Sequence, residues 1–286
     1  MWYDEVIDCI LQYNPDAEII QAELAGKAVH VAGKNVTFHL LSIPFAGLHD
    51  ISPTYFQKKS LEHAERGIRL VHLWQDGWAT RQEIVRSRIA ALSGSGIRIH
   101  ARQTEAWRIT KDEMHGFFTA NHQQGQVKAR YNYGLYHEGQ LVAAASFSAG
   151  RTVTRNNVTG RSFELLRYAN LLHHVVSGGL GKLIARFVKD VNPDDIMTYA
   201  DLDWASGKGY QTLNFEQTAV TPPQSFWIHP AEMIRYYPHR LPQQLTDEFD
   251  RQKRYTKMDD FLKDGGYVKI YNAGNLKFLF INRKKI

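Results

Sequence analysis

The feature that most constrains this chain is a run of glycines set between two β-type segments. Residues Ser162–Phe215 read SFELLRYANLLHHVVSGGLGKLIARFVKDVNPDDIMTYADLDWASGKGYQTLNF. Phe163–Tyr168 predicts a strand that leads through a bend into Ser177-Gly178-Gly179-Leu180-Gly181. Apolar residues then recur at Leu180, Leu183, Ile184, Phe187 and Val188, the spacing of one buried helix face. Asn192-Pro193 stops that helix. Ile196–Ala200 predicts a second strand, and a short helix around Tyr210 ends at Phe215. Such a strand, glycine loop, helix and strand can present backbone N–H groups to an anion at a helix N-terminus.

The chain has 286 residues, enough for two domains with a core each. No run approaches the roughly 18 apolar residues of a membrane span, and the first residues lack the order of a secretory signal. Cys9 is the sole cysteine, which excludes an internal disulfide framework and zinc-ribbon spacing. A cytoplasmic setting is the expectation. The net charge of +6 is uneven: −5 over residues 1–54, +5 over 55–110, −1 over 111–250 and +7 over 251–286. Two basic segments around a neutral middle suit phosphate contacts beside a chemical centre, or else a solvated surface with a basic tail.

Along the chain, residues 1–24 predict a helix broken at Asn14-Pro15 and resumed from Asp16. Ala28–Ala32 and Val36–Ile43 predict a hairpin about Gly33-Lys34-Asn35. Gly47–Pro53 is a loop, Tyr55–Arg66 a helix closed by Gly67, and Ile68–Trp74 a strand. Thr80 with Glu83 predicts a capping box for a helix to Leu92, followed by a Ser93-Gly94-Ser95-Gly96 linker. Tyr55–Lys59, Glu65–Trp78 and Ile84–Ile89 together resemble the second half of a very-short-patch-repair-like nuclease module of the restriction-endonuclease superfamily. That resemblance implies a metal held by an Asp and a Glu on the upstream hairpin. Lys27–Ile43 contains neither; Asp50 is in a loop, and Glu18 and Glu23 precede the hairpin. The module reads as a nuclease fold without its catalytic carboxylates, so no metal is expected.

Beyond the linker come a strand (Ile97–Ala101), a helix (Lys111–Ala120), a hairpin (Tyr131–His137 and Gln140–Ser148) and a polar loop (Gly150–Gly160). With the glycine unit, this order resembles the GNAT acyltransferase fold over residues 97–235. The resemblance implies that Ser177, Gly178, Gly179, Gly181 and Lys182 bind the pyrophosphate of acyl-CoA or another activated acyl donor. Leu166 and Arg167 on the preceding strand would complete that donor site, or Arg167 would pair with Glu164 as structure. The family's leading Arg or Gln is Val176 here. Tyr210 takes the place of a tyrosine that protonates the departing thiolate, a task suited to a phenol. Asp201 and Asp203 follow a strand end, where they would accept a proton from an amine or cap the next turn; Trp204 could stack a base. Asn121 and His122 carry groups suited to a polar substrate or to a plain surface loop.

Asp247–Asp264 predicts a charged helix, and Tyr267–Tyr271 with Lys277–Ile281 a hairpin about Asn272-Ala273-Gly274-Asn275. Lys253, Arg254 and Lys257 would meet a DNA backbone. The whole chain resembles phage and mobile-element fusions of the two modules. The expectation is therefore an α/β (α+β) protein in three parts. These are a degenerate nuclease-like domain (1–93), a GNAT-like mixed-sheet domain (97–240) and a basic helix and hairpin (241–286). It would be a DNA-associated acyl or aminoacyl transferase acting on an amine, with no membrane partner. The alternative is a non-catalytic DNA-binding protein or a homing-type endonuclease with an altered site.

Overall fold

The computed structural model describes residues 2–22, 27–44, 48, 51–155 and 158–282. Glu23, Asp50, residues 156–157 and the last four basic-tail positions lie outside the described residues. The fold is mixed α/β with several sheets. It divides into two compact units whose borders do not follow the expected 1–93, 97–240 and 241–286. Unit 1 comprises Met1–Gln82, Asp201–Ser206 and Thr221–Asn275; unit 2 comprises Glu83–Ala200, Gly207–Val220 and Leu276–Ile286.

In unit 1, α1 (Trp2–Tyr13) buries Val6, Ile7, Cys9 and Ile10. The chain after Asn14-Pro15 does not resume a helix: Glu18–Gln21 is a strand, β1, antiparallel to β2 (Lys27–Val31). All four β1 residues are exposed, so pairing to β2, rather than an apolar stripe, decides their conformation. β2 and β3 (Val36–Leu41) form the expected hairpin, with Asn35 left-handed at φ 50°. After α2 (Tyr55–Glu65), Gly67 at φ 75° reverses the chain into β4 (Arg69–Trp74). β4 lies parallel to β3 and completes a sheet of order β1-β2-β3-β4.

α3 (Gln75–Leu92) starts directly after β4 and is kinked at Arg81. The expected capping box is absent, because Thr80 Oγ1 donates to Asp76 O at 2.7 Å instead of accepting from the turn ahead. The expected linker is the C-terminal turn of α3: Ser95 N donates to Ala90 O at 2.8 Å and Gly94 is left-handed.

Unit 2 then follows through β5 (Ile97–His100), β6 (Glu105–Arg108), α4 (Lys111–Asn121), β7 (Tyr131–His137), β8 (Gln140–Phe147), β9 (Arg151–Arg155) and β10 (Val158–Asn170). It continues with β11 (His174–Ser177), α5 (Gly179–Val191), β12 (Asp195–Asp201), α6 (Lys208–Gln211) and β13 (Glu216–Thr221). The stretch expected as a loop at 150–160 is largely strand, β9 pairing with β10 from Arg151↔Ser162 to Arg155↔Val158. Its side chains at Arg151, Thr152 and Thr154 are exposed, which is why no apolar alternation marks it.

Five elements precede the last strand: β14 (Ser225–Ile228), β15 (Arg235–Tyr236), α7 (Gln243–Arg251), α8 (Met258–Asp264) and β16 (Val268–Tyr271). The charged stretch expected as one helix is thus two. β17 (Asn275–Ile281) does not form a hairpin with β16: β16 pairs with β14, whereas β17 lies between β13 and β12. Asn272 Oδ1 accepts from Gln224 N at 2.7 Å and Gly274 N at 3.1 Å, which holds the intervening residues in a crossing rather than a turn. The eight-stranded sheet of unit 2 has the order β13-β17-β12-β10-β8-β7-β6, with β9 on β10. α5 lays Leu183, Ile184 and Phe187 on it as its spacing predicts; Phe187 stacks on Phe147 at 4.0 Å between centroids.

Candidate active site

β10 and β12 run parallel and pair from Ser162↔Asp195 to Leu165↔Thr198, and no further. On its other edge β10 pairs with β8, where the register slips between Leu165 and Arg167. An extra residue of this kind bends a strand and leaves one position unpaired, here Leu166. Past Leu165, the edge of β10 toward β12 therefore has no strand partner. Thr198 marks the apex, its Oγ1 donating to Leu165 O at 3.0 Å.

Two tyrosines gather at this apex. Tyr210, on α6, is hydrogen-bonded to Thr198, and its ring packs on Phe215 and Phe278 at 5.6 and 5.3 Å. Tyr168, three residues past Leu165, donates to Asn170 Oδ1 at 2.8 Å, and the Leu180 N–H at the start of α5 meets its hydroxyl. Burial raises both phenols above their ordinary range, and the nearby Tyr210 pushes Tyr168 further. Tyr168 and Thr198 were not singled out from the sequence; Tyr168 ends the predicted strand and could have been.

The glycine loop begins α5 as expected. Gly178 is left-handed at φ 77°, and Lys182 N makes the first intrahelical bond, to Gly178 O at 3.1 Å. Among the described residues, the N–H groups of Gly179 and Gly181 donate to no protein acceptor. Packing also demands these glycines. A Cβ at Gly179 would sit 2.9 Å from Val176 Cγ1, and one at Gly181 2.9 Å from Leu213 Cδ2. Lys182 is committed elsewhere, its ammonium donating to Ala101 O at 2.8 Å and to Thr104 O. Ser177 lies on β11 opposite His100. Arg167 donates to Leu166 O at 2.8 Å. The loop thus fits a pyrophosphate through amides and the helix N-terminus, without a lysine to neutralise it.

Asn121 and His122 lie in unit 2 in structural roles. Asn121 Oδ1 accepts from Leu172 N and its Nδ2 donates to Phe117 O, both at 2.8 Å, tying the end of α4 to the turn before β11. His122 Nδ1 accepts from Gln124 N at 3.1 Å. Burial, then the Arg167 and Arg88 cations, lower the His122 pKa to about 3, so the ring is neutral near pH 7.

Asp201, Asp203 and Trp204 belong to unit 1, whereas Tyr210 belongs to unit 2. Asp203 is 4% exposed and accepts from Ala273 N at 2.7 Å. Asp201 Oδ1 accepts from Asp203 N at 3.0 Å. Arg235, a residue the sequence did not flag, grips Asp76 in a two-pronged pair at 2.6 and 3.0 Å. Burial and then the Asp201 charge raise Asp203 to about 8, against the pull of Arg235. A carboxyl that is neutral at pH 7 is no base there. Trp204 is 4% exposed and has no open face on which a base could stack. Lys253, Arg254 and Lys257 are exposed, with Arg254 lying 4.6 Å over the Tyr255 ring. Among the described residues, no group of three or more His, Cys, Asp or Glu is placed to hold a metal ion, and no helix is long and apolar enough to cross a membrane.

No protein-family model and no curated protein matches the sequence. Solved structures do. One is a GNAT family acetyltransferase from Elizabethkingia anophelis with acetyl-CoA bound (8% identity, 63% of this chain and 98% of that one, TM-score 0.35). Another is an acetyltransferase from Bacillus subtilis in complex with CoA (14%, 63% and 97%, TM-score 0.33). A third is Eis1 from Mycobacterium abscessus (14%, 44% and 34%, TM-score 0.33), of whose length the match spans about a third.

Proposed function

We propose that unit 2 is the acyl-transfer core of a GNAT-like N-acyltransferase that takes an acyl-CoA donor and an amine acceptor. The observation that carries the reading is the parting of β10 from β12 after Leu165, with the Tyr210 and Tyr168 hydroxyls at the apex and unpaired amides at the start of α5. Acyl-CoA, when bound, would supply a thioester carbonyl to the amine. The unpaired edge of β10 past Leu165 would bind an extended amide-bearing arm as a strand binds a neighbour. Gly179 and Gly181 would hold phosphate oxygens through their N–H groups. Tyr210 Oη would carry the proton that neutralises the sulfur leaving group, Thr198 fixing its position.

Asp201 and Asp203 are not needed in this reading. In its finer form, the acceptor is the amine of a DNA base, and Lys253, Arg254 and Lys257 contact phosphates; their exposure supports that assignment. Residues 1–93 would then descend from a mobile-element nuclease module, the β2–β3 hairpin having no carboxylate.

Calorimetric titration with acetyl-CoA and CoA should show saturable binding. Product mass measured with an amine panel should show acyl addition, and Tyr210→Phe should lower kcat about 100-fold with little change in donor KM. Turnover unaffected by Tyr210→Phe would remove the tyrosine from the chemistry, and no binding of either nucleotide would end the donor assignment. For the DNA contact, reversing Lys253, Arg254 and Lys257 should reduce the salt slope of duplex binding by about 3. Magnesium-dependent plasmid nicking would favour the nuclease reading instead.

A further inference from the structure

Unit 1 contains a cleft of about 370 Å³ bounded by α7, α8 and the turn after β14. Its walls are aromatic, formed by Tyr255, Phe261 and Tyr267. Three carboxylates line it, Glu232, Glu248 and Asp264, against one cation, Arg254. Each carboxylate is held by a neutral donor. Tyr236 Oη donates to Glu232 Oε2 at 3.1 Å, Gln252 Nε2 to Glu248 Oε1 at 3.0 Å, and Tyr255 Oη to Asp264 Oδ2 at 3.0 Å.

Among the described residues, none of the three has a Lys, Arg or His nitrogen within 4.0 Å, although seven carboxylates elsewhere do. The cation Arg254 is instead laid on the Tyr255 ring. Glu232 and Glu248 both raise the Tyr267 phenol, after burial, so their charges converge on that ring. His229 also lines the cleft, its ring 5.1 Å from Tyr267, and its Nδ1 is buried with no hydrogen-bond partner.

We propose that this cleft binds an organic cation, an alkylammonium group entering between Tyr267 and Tyr255 with the three carboxylates around it. Aromatic faces attract a cation through their electron-rich centres, and carboxylates already oriented by neutral donors require little reordering to receive one. A buried ring nitrogen without a partner gains one when a polar ligand arrives. The volume lies at the small end of ligand sites and suits a single side chain or a short polyamine rather than a folded partner. This site is independent of the acyl-transfer chemistry and shares only Arg254 with the proposed DNA contact.

Isothermal titration with spermidine, with a terminally blocked dilysine peptide and with its acetylated form tests the assignment. Saturable binding of spermidine or of the dilysine peptide is expected, the stronger of the two telling a free polyamine from a peptide side chain. The acetylated peptide, which has lost its charges, should bind at least about tenfold more weakly. Glu248→Gln and Asp264→Asn keep an acceptor for Gln252 and Tyr255 and should each weaken binding severalfold without shifting the thermal midpoint. Tyr267→Phe should leave binding in place and Tyr267→Ala should abolish it. No saturation by either cation, or affinity unchanged in the Glu248→Gln, Asp264→Asn double variant, overturns the proposal.

Discussion

The two units solve the problem of a polar interior in opposite ways. Unit 2 fills its centre with rings: Phe187 of α5 is buried together with Phe147, Phe163 and Tyr133 of the sheet, and the phenols at the β10–β12 parting remain uncharged. Unit 1 buries ionisable groups: Asp76, Asp203 and Arg235 share one network, beside a fully buried His72 whose Nε2 lies 2.9 Å from Ser60 Oγ. Ring packing depends on shape and is indifferent to proton concentration. A charged network depends on the count of protons it holds. The two halves should therefore respond to acid and base differently, and that difference can be broken.

The largest effect belongs to Arg235. Arg235→Ala leaves Asp76 without its two-pronged partner and should cost unit 1 about 3–5 kcal/mol, read as loss of hydrogen-exchange protection in β4, β14 and β16. Protection unchanged in those strands would mean that the pair is not what holds the interior together. Next comes Asp203, whose folded pKa of about 8 lies above its unfolded value near 3.8. Its contribution to stability is fully present below the unfolded pKa and is lost as pH rises through the folded one. Between about pH 4 and pH 8, unit 1 should weaken by a few kcal/mol on this account, and Asp203→Asn should flatten that slope.

His122 in unit 2 gives the reverse sign. Its folded pKa, about 3, lies below the unfolded 6.5, so its contribution is present above pH 6.5 and lost as pH falls toward 3. At pH 5 the loss should be about 2 kcal/mol, and His122→Gln should abolish it; an acid limb identical in that variant would break the contrast between units. The smallest expected change is Tyr168→Phe, which removes the bond to Asn170 and should cost about 1 kcal/mol at every pH between 4 and 8.

Sequence periodicity exposed what is local. The α5 stripe, the turn at Asn35 and the β7–β8 hairpin follow from a few neighbouring residues, and the structure reproduces them. Capping residues were less informative. Thr80 and Glu83 have the right spacing, but β4 runs straight into α3, so Thr80 lies inside a helix rather than before one. β1 has four exposed residues and no pattern, since its partner rather than its composition makes it a strand. Long-range pairs were silent altogether. Asp76 and Arg235 are 159 positions apart, and the crossing that parts β16 from β17 looks, in isolation, like an ordinary turn. Around the candidate site, the start of α5 at the glycine loop and the short helix that carries Tyr210 were readable from spacing. The diversion of Lys182 to two carbonyls was not, because they belong to residues about eighty positions upstream.

Unit 1 is written in three separate passages of the chain, the last of which carries Arg235. A gene fragment ending at residue 93 would encode Asp76 but neither Asp203 nor the guanidinium that answers it. Neither unit can be inherited, deleted or exchanged as one uninterrupted reading frame, so recombination that treats this protein as beads on a string should yield insoluble halves.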